Sequence, residues 1–312
     1  MDAMGPSPPT QSRPAQNWQD LFFTAQDGLR LYARHYPAPG SRRRQVLCLP
    51  GLTRNSRDFH FLASFLSDPN NPQAREVVAV DYRGRGRSQW DPTWRNYALQ
   101  VEMQDALDVM TILGLADVAV VGTSRGGLIA MMMACLRPTA IGPVVLNDIG
   151  PVIEREGLIR IAAHVGRVPL PTTWQEAAQM ARDMNARAFP AIPEQHWEEI
   201  ARQWFNDEHD RPMPGYDPEL GQTMSLIDGP MPTLWPQFEA LSRMPAMVLR
   251  GEHSDLLSEA TVREMGVKHP DLTAVTVRGQ GHAPMLRDGT SLHAIADFLG
   301  RADTASERGA AD

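Results

Sequence analysis

The sequence predicts an α/β protein built on a mostly parallel, twisted sheet with helices on both faces. Short runs of apolar, often β-branched residues recur along the chain, and segments with helical spacing of apolar residues separate them. In addition, one glycine-rich turn with a central serine lies between such a run and the start of a helix pattern. Strands that alternate with helices are typical of a doubly wound parallel sheet.

The strand pattern begins with a hairpin. The turn sequence Asp27-Gly28 lies between the apolar pair Phe22-Phe23 and residues 31–36, which predicts two antiparallel strands. Six further strands are predicted, over residues 45–49, 77–80, 118–121, 144–146, 247–249 and 272–277. Their short, fully apolar character favours burial on both faces of the sheet.

Predicted helices lie between these strands, and between about residues 150 and 235 only helices are predicted. Apolar spacing predicts helices over residues 101–113, 128–135 and 292–298. From about residue 150 to 235 the strand pattern stops. There Thr173 and Glu176 form a capping box ahead of a helix, and Pro193 is suited to precede another. We therefore expect a helical insertion after the sixth strand.

These patterns divide the chain into segments. We expect a flexible arm over residues 1–17, which lacks the apolar segment of a secretory signal. We expect a polar, disordered tail over residues 301–312. The sheet and its helices then occupy residues 18–149 and 236–300, and the helical insertion occupies residues 150–235.

Composition narrows the classes of partner. The formal net charge of −7 provides no basic surplus for a nucleic-acid backbone or an anionic membrane, and no apolar run is long enough to span a bilayer. Cys48 and Cys135 lie in apolar stretches without the spacing of a zinc site, and two cysteines do not make a disulfide framework. Buried free thiols fit a reducing compartment, so we expect a cytoplasmic protein with a small-molecule substrate. The sequence does not indicate an oligomeric state.

The strongest chemical signal is the segment 122–127, Gly-Thr-Ser-Arg-Gly-Gly, with Ser124 at its centre. It follows a predicted strand and precedes a predicted helix. In that context the G-x-S-x-G pattern forms a sharp turn that exposes the serine hydroxyl above the sheet. We interpret Ser124 as a nucleophile.

A serine nucleophile needs a base, and the base needs an acid. His282 follows the last predicted strand, in a loop that can bring its ring over Ser124. We predict Asp255, which follows the strand 247–249, as the orienting acid. Two rivals are Glu252, which comes early in the same loop, and Asp148, which ends the preceding strand.

The backbone supplies the expected oxyanion hole, since tetrahedral intermediates need preorganised N–H donors. We predict the amide of Arg125, the residue after the nucleophile, and the amide of Leu52 in the loop after the third strand. The arginine-rich segment 81–88 lacks the pattern of a phosphate loop. We interpret it as a structural turn tied down by its own Asp and Arg groups.

Together these segments resemble the serine branch of the α/β-hydrolase superfamily. The matching pieces are Pro50-Gly51-Leu52 and segments 81–88 and 122–127, followed by Asp255 and Gly281-His282. Their order of serine, acid and histidine is that of the family. The resemblance implies a helical cap over the active site and no cofactor. Ser124, where a carboxylate would stand, argues against the epoxide hydrolase and haloalkane dehalogenase branches.

The expected activity is hydrolysis of a small carboxylic ester or lactone through an acyl-enzyme. One alternative is a C–C bond hydrolase of a vinylogous diketone, in which Arg125 or Arg54 holds a substrate carboxylate. Arg125 is equally suited to pair with Asp148. A second alternative is a ligand-binding module on a hydrolase scaffold. Trp174 and Trp204 of the insertion are candidate substrate contacts, together with Arg54.

Overall fold

The computed structural model describes residues 17–224 and 232–309. Its strands, in chain order, are β1 (Gln19–Thr24), β2 (Arg30–Tyr36), β3 (Val46–Leu49), β4 (Val77–Asp81), β5 (Val118–Thr123), β6 (Ile141–Asn147), β7 (Asn206–Glu208), β8 (Arg211–Met213), β9 (Ala246–Gly251) and β10 (Leu272–Val277). Its α-helices are α1 (His60–Ser67), α2 (Leu99–Leu113), α3 (Arg125–Leu136), α4 (Arg155–His164), α5 (Trp174–Asn185), α6 (Trp197–Trp204), α7 (Gly221–Met224), α8 (Trp235–Glu239), α9 (Glu259–Lys268) and α10 (Gly289–Gly309).

Eight strands form one sheet in the order β1-β2-β4-β3-β5-β6-β9-β10. The pairs from β4 through β10 are parallel, and β2 is antiparallel to both β1 and β4. The predicted fold class is confirmed, including the opening hairpin. The segment after the sixth strand is mostly helical as expected, but it also contains the short antiparallel pair β7–β8, which the sequence pattern did not predict.

Helices cover both faces of this sheet because its buried strands are apolar on both sides. In β3, Leu47 and Leu49 face a core that includes residues of α2, α3 and α9. Val46 and Cys48 face the opposite core, which includes residues of α1 and α10. This alternation follows from the period of two along a strand. Because strands β3 to β6, β9 and β10 are parallel, their carboxyl ends lie at the same edge of the sheet. Ligands bind at this edge in open α/β folds.

The described part of the insertion, residues 150–224, has its own apolar centre. Side chains of α5 and α6 form it, among them Trp174, Ala177, Trp197 and Ile200. The side chain of Thr173 accepts a hydrogen bond from the amide of Glu176, so the predicted cap of α5 is present.

The turn after β4 ties the sheet to this inserted segment. Asp81 accepts hydrogen bonds from the amides of Ser56 and Arg87 at 2.7 and 2.8 Å. Gly86 donates its amide hydrogen to the Gly215 carbonyl at 2.8 Å. A Cβ at Gly86 would lie 2.0 Å from the Asp81 Oδ2, so only glycine fits there. The segment 81–88 is thus the structural turn that its composition predicted.

Two expectations are wrong in part. Residues 301–309 continue α10 instead of forming a disordered tail, and residues 310–312 lie outside the described residues. Asp303 anchors this extension, because its buried carboxylate pairs with Arg75 at 3.1 Å and with Arg44 at 3.4 Å. Cys135 is exposed, whereas Cys48 is buried as expected. Of the predicted arm, residues 1–16 also lie outside the description.

Candidate active site

The serine lies on a strained turn between β5 and α3. Ser124 has φ +50° and ψ −112°, a backbone conformation that non-glycine residues rarely adopt. The turn is possible because its glycine neighbours lack side chains. A Cβ at Gly122 would lie 2.6 Å from backbone atoms of Gly126, and a Cβ at Gly126 would lie 2.0 Å from the Leu49 carbonyl oxygen. The hydroxyl of Ser124 therefore lines the cavity above the carboxyl ends of the strands.

The loop after β10 brings His282 to this hydroxyl. The Nε2 atom of His282 lies 2.9 Å from the Ser124 Oγ, and its Nδ1 atom lies 2.7 Å from Oδ2 of Asp148. With the proton on Nδ1, the ring donates to the carboxylate and accepts from the serine hydroxyl. These three side chains form a hydrogen-bonded chain with the geometry of a nucleophile, a base and an orienting acid.

Asp148 directly follows β6, and its side chain is fully buried. Its Oδ1 accepts the amide hydrogen of Gly251 at 2.7 Å, and its Oδ2 accepts the hydroxyl hydrogen of Ser254 at 2.6 Å in addition to the His282 contact. The residue has φ +57°, a value at which aspartate is enriched. Buried carboxylates require such donors, so this position is built to hold an ionised acid.

The expectation that Asp255 orients His282 is wrong. Asp255 lies in the loop after β9, but its carboxylate forms a two-pronged ion pair with Arg160 of α4, with contacts of 2.5 and 2.8 Å. In that loop, Ser254 is the residue that reaches the buried acid. Burial acts to raise the pKa of Asp255, but the hydrogen bonds and charge of Arg160 outweigh it and hold the pKa below its ordinary value of 3.8.

The two predicted oxyanion donors lie at the same end of the sheet. Arg125 is the first residue of α3, so its amide is one of those that a helix leaves without an internal partner. Leu52 follows Gly51, at which a Cβ would lie 3.9 Å from the Ser124 Cβ. The Leu52 carbonyl accepts a hydrogen bond from the Arg85 Nε at 2.8 Å, which holds this loop in place.

The Arg125 side chain is occupied elsewhere. Its Nε lies 2.5 Å from Oε2 of Glu102, and its Nη2 donates to the Tyr97 carbonyl at 2.8 Å. Glu102 is fully buried and also pairs with Arg85 at 2.6 Å. Burial acts to raise the pKa of Glu102, but the charges of Arg125 and Arg85 lower it overall. Arg125 therefore contacts neither Asp148 nor the cavity, and both uses that the sequence left open for its side chain are wrong.

The cavity above Ser124 has a volume of about 380 Å³, within the range of small-molecule sites. The sheet side contributes Leu52, Arg54 and His282, and the inserted segment contributes residues that include Arg160 and Trp204.

Among the three predicted substrate contacts, Arg54 and Trp204 line the cavity and Trp174 does not. Arg54 forms a two-pronged ion pair with Asp58 and stacks 4.3 Å above the Trp204 ring. Trp174 is buried in the centre of the inserted segment, where Arg202 lies 4.2 Å from its ring. A tryptophan at helical spacing in α5 packs inward, so the expectation for Trp174 is wrong.

In residues 17–224 and 232–309 no cluster of three or more His, Cys, Asp or Glu side chains is arranged to hold a metal ion. Over the same part of the chain, no helix has the length and apolar character to cross a bilayer.

Comparison with known proteins identifies a family and several relatives of this chain. Residues 46–295 match the alpha/beta hydrolase family. The chain is 32% identical to a 3-hydroxybutyrate-oligomer hydrolase from Cupriavidus necator, over 87% of this chain and 94% of that protein. It is 28% identical to a 2-(acetamidomethylene)succinate hydrolase from Mesorhizobium japonicum, over 81% of this chain and 87% of that protein.

A solved structure agrees with these matches. The crystal structure of an alpha/beta hydrolase from Novosphingobium aromaticivorans superposes with a TM-score of 0.84 at 35% identity, covering 92% of this chain and all of that one. The family match spans the parallel strands of the sheet and the positions of Ser124, Asp148 and His282. The chain is a member of the alpha/beta hydrolase family.

Proposed function

We propose that this hydrolase cleaves small carboxylic esters through an acyl-enzyme on Ser124. The observation that carries the proposal is the chain of hydrogen bonds from the Ser124 Oγ through His282 to Asp148, with lengths of 2.9 and 2.7 Å. A serine hydroxyl is a weak nucleophile by itself, and an adjacent oriented imidazole is what activates it.

The proposed reaction has two halves. In the first, the Nε2 of His282 takes the proton of Ser124 while the serine oxygen attacks the ester carbonyl carbon. The amides of Leu52 and Arg125 stabilise the oxyanion, and the imidazolium returns the proton to the leaving alcohol as the ester C–O bond breaks. In the second half, His282 deprotonates a water molecule that attacks the acyl carbon. The bond from that carbon to the Ser124 oxygen breaks, the imidazolium returns the proton to this oxygen, and the acid is released. Asp148 holds the ring and stabilises its charged form.

The substrate class is proposed from the cavity and the relatives. The cavity of about 380 Å³ suits a short acyl chain. The relative with 32% identity is named for hydrolysis of 3-hydroxybutyrate oligomers, and the Mesorhizobium relative for hydrolysis of a substituted succinate. We take short linear oligoesters of a hydroxy acid as the leading substrate, with lactones as the second ester class.

The test compares wild type, Ser124→Ala and a control variant, Ser41→Ala, in an exposed connection between β2 and β3. p-Nitrophenyl butyrate and a 3-hydroxybutyrate dimer are the substrates, and a fluorophosphonate probe reports the reactive serine. Wild type and the control should hydrolyse both esters and be labelled. Ser124→Ala should lose labelling and lose activity by about a million-fold, as seen when a serine nucleophile is removed.

The same experiment addresses the alternatives. A ring-cleavage dienone is included as a substrate, because a C–C hydrolase would cleave it in preference to the esters. A ligand-binding module would bind small molecules without rapid labelling at Ser124. Either outcome, or ester turnover that persists in Ser124→Ala, would overturn the proposed function.

A further inference from the structure

The cavity carries a second polar feature besides the nucleophile and base. Arg160, on α4 of the inserted segment, lines the same cavity as Ser124 and His282. Its side chain is 45% exposed. The contacts with Asp255 use Nε and Nη2, and the guanidinium carries two further N–H groups on Nη1. A guanidinium held by one carboxylate is fixed in orientation and keeps N–H donors for a second acceptor.

The charges along the cavity wall favour an anionic ligand. Among the described residues, two guanidinium groups, those of Arg54 and Arg160, line it, with one carboxylate, that of Asp58. Asp58 is already bound by Arg54 in a two-pronged pair. The partner of Arg160, Asp255, belongs to the loop after β9 and is not part of the lining. An arginine fork matches a carboxylate in shape and charge.

Arg160 lines the same cavity as His282, the group that serves the leaving alcohol. His282 delivers its proton to the leaving alcohol, so that part of the substrate lies beside the imidazole. The hydrogen bonds and charge of Asp255, followed by the charge of Asp148, raise the pKa of Arg160. Arg160 pairs with Asp255, the residue after Ser254, and the Ser254 hydroxyl donates to Asp148, the acid that contacts His282. In an oligoester of 3-hydroxybutyrate, only two carbons separate the leaving oxygen from the next carboxyl carbon.

We propose that Arg160 binds the terminal carboxylate of the substrate, so that the enzyme prefers oligoesters with a free acid end and removes hydroxy-acid units from that end. This inference rests on the proposed function. The ester C–O bond next to the terminal unit breaks, water supplies OH to the acyl group and H to the departing alcohol, and the products are one hydroxy acid and a shortened oligoester. No other reactant takes part.

The experiment compares two substrates that differ only in terminal charge. They are the 3-hydroxybutyrate trimer with a free carboxylate and the same trimer with that carboxylate capped as a primary amide, both blocked at the hydroxyl end as a methyl ether. Wild type should show a kcat/KM about 10- to 100-fold higher for the free acid, the range expected for a charge-assisted hydrogen bond. It should release unblocked hydroxy acid first. This comparison needs no variant.

Variants then assign the preference to one side chain. Arg160→Gln should remove the free-acid preference, measured as the ratio of kcat/KM for the two trimers in the same variant, because the charged contact with the terminal carboxylate is lost. Arg160→Lys should restore part of the preference, since it keeps the charge without the fork. Arg182→Gln is the matched control, an arginine of the same segment that pairs with Glu194 outside the cavity lining.

The outcomes separate this inference from the proposed function. Equal kcat/KM for the two trimers in wild type, release from the blocked end, or an Arg160→Gln variant that keeps the preference would overturn the role of Arg160. Hydrolysis of p-nitrophenyl butyrate and labelling of Ser124 would then still support the proposed function. Absence of both in wild type would overturn the proposed function instead.

Discussion

Replacing Asp148 with Asn tests which acid serves His282. The Asp148 Oδ1 accepts from the Gly251 amide, so the oxygen of an asparagine is expected to stay there and its NH₂ group to replace Oδ2. That NH₂ group would face two other donors, the hydroxyl of Ser254 and the Nδ1–H of His282. The imidazole would then carry its proton on Nε2 and could no longer accept the proton of Ser124.

The expected loss follows from this change of tautomer. An aspartate-to-asparagine change at the acid of such a site lowers kcat by about 10⁴-fold, which is about 5.5 kcal/mol of transition-state stabilisation. Asp255→Asn is the matched control, because it makes the same chemical change at the ion pair with Arg160. That pair is partly exposed, and pairs of this kind contribute about 0–1 kcal/mol, so kcat should stay within about fivefold.

The assay is the initial rate of p-nitrophenyl butyrate hydrolysis, an uncharged ester that does not engage Arg160. Thermal unfolding, monitored by circular dichroism, checks that both variants are folded. A loss of about a thousandfold or more in Asp255→Asn, with Asp148→Asn close to wild type, would refute the assignment of the acid.

Three further results are expected. Ser254→Ala removes one of the donors to Asp148, so kcat/KM should fall by about 10-fold and Ser254→Thr should recover part of it in the same assay, whereas wild-type rates in both variants would contradict this role. Glu102→Gln leaves Arg85 and Arg125 without their buried carboxylate partner. The free energy of unfolding in urea should therefore fall by about 3–5 kcal/mol, and a fall below about 1 kcal/mol would contradict this role. The ion pair of Asp255 and Arg160 lowers the folded-state pKa of the acid, so its stabilisation is present above the ordinary pKa of 3.8 and is lost as the pH falls through the lower folded value. The difference in unfolding free energy between wild type and Asp255→Asn should therefore vanish in acid, and urea titrations above and below pH 3.8 check it; a difference that grows in acid would contradict the pairing.

Much of the sheet and the nucleophile turn could be predicted from the sequence because their signals are local. The elbow needs a strand, glycines at fixed spacing and a helix, all within one short segment around Ser124. The buried strands are apolar on both faces, which short composition patterns reveal. The same locality applies to the cap of α5, where Thr173 bonds the amide three residues onward.

The acid could not be predicted because both candidates satisfy the same rule. Asp148 and Asp255 each follow a parallel strand, and each lies between Ser124 and His282 in the chain. The order of serine, acid and histidine is therefore the same for either one. What separates them is a tertiary contact, since α4 of the inserted segment brings Arg160 to Asp255. The signal available in the sequence was the position of Asp148 directly after the buried strand β6.

The sequence patterns also did not predict which charged side chains are buried. Glu102 lies on α2, a helix that was predicted from the spacing of its apolar residues. Its side chain is nevertheless fully buried between Arg85 and Arg125. Asp303 belongs to a stretch of small and polar residues that was expected to be a disordered tail, yet its carboxylate pairs with Arg75. In both cases a charged side chain is buried only because a distant partner meets it, and single-sequence patterns do not contain that information.

The central claim is that the Ser124 oxygen becomes covalently acylated during turnover. The most direct measurement mixes the protein rapidly with p-nitrophenyl butyrate, quenches it in acid within the first turnover, and maps the modified peptide by mass spectrometry. A butyryl group should be found on Ser124, should disappear as turnover ends, and should be absent in Ser124→Ala. Butyrylation of another residue, or turnover without any acylated protein, would contradict it.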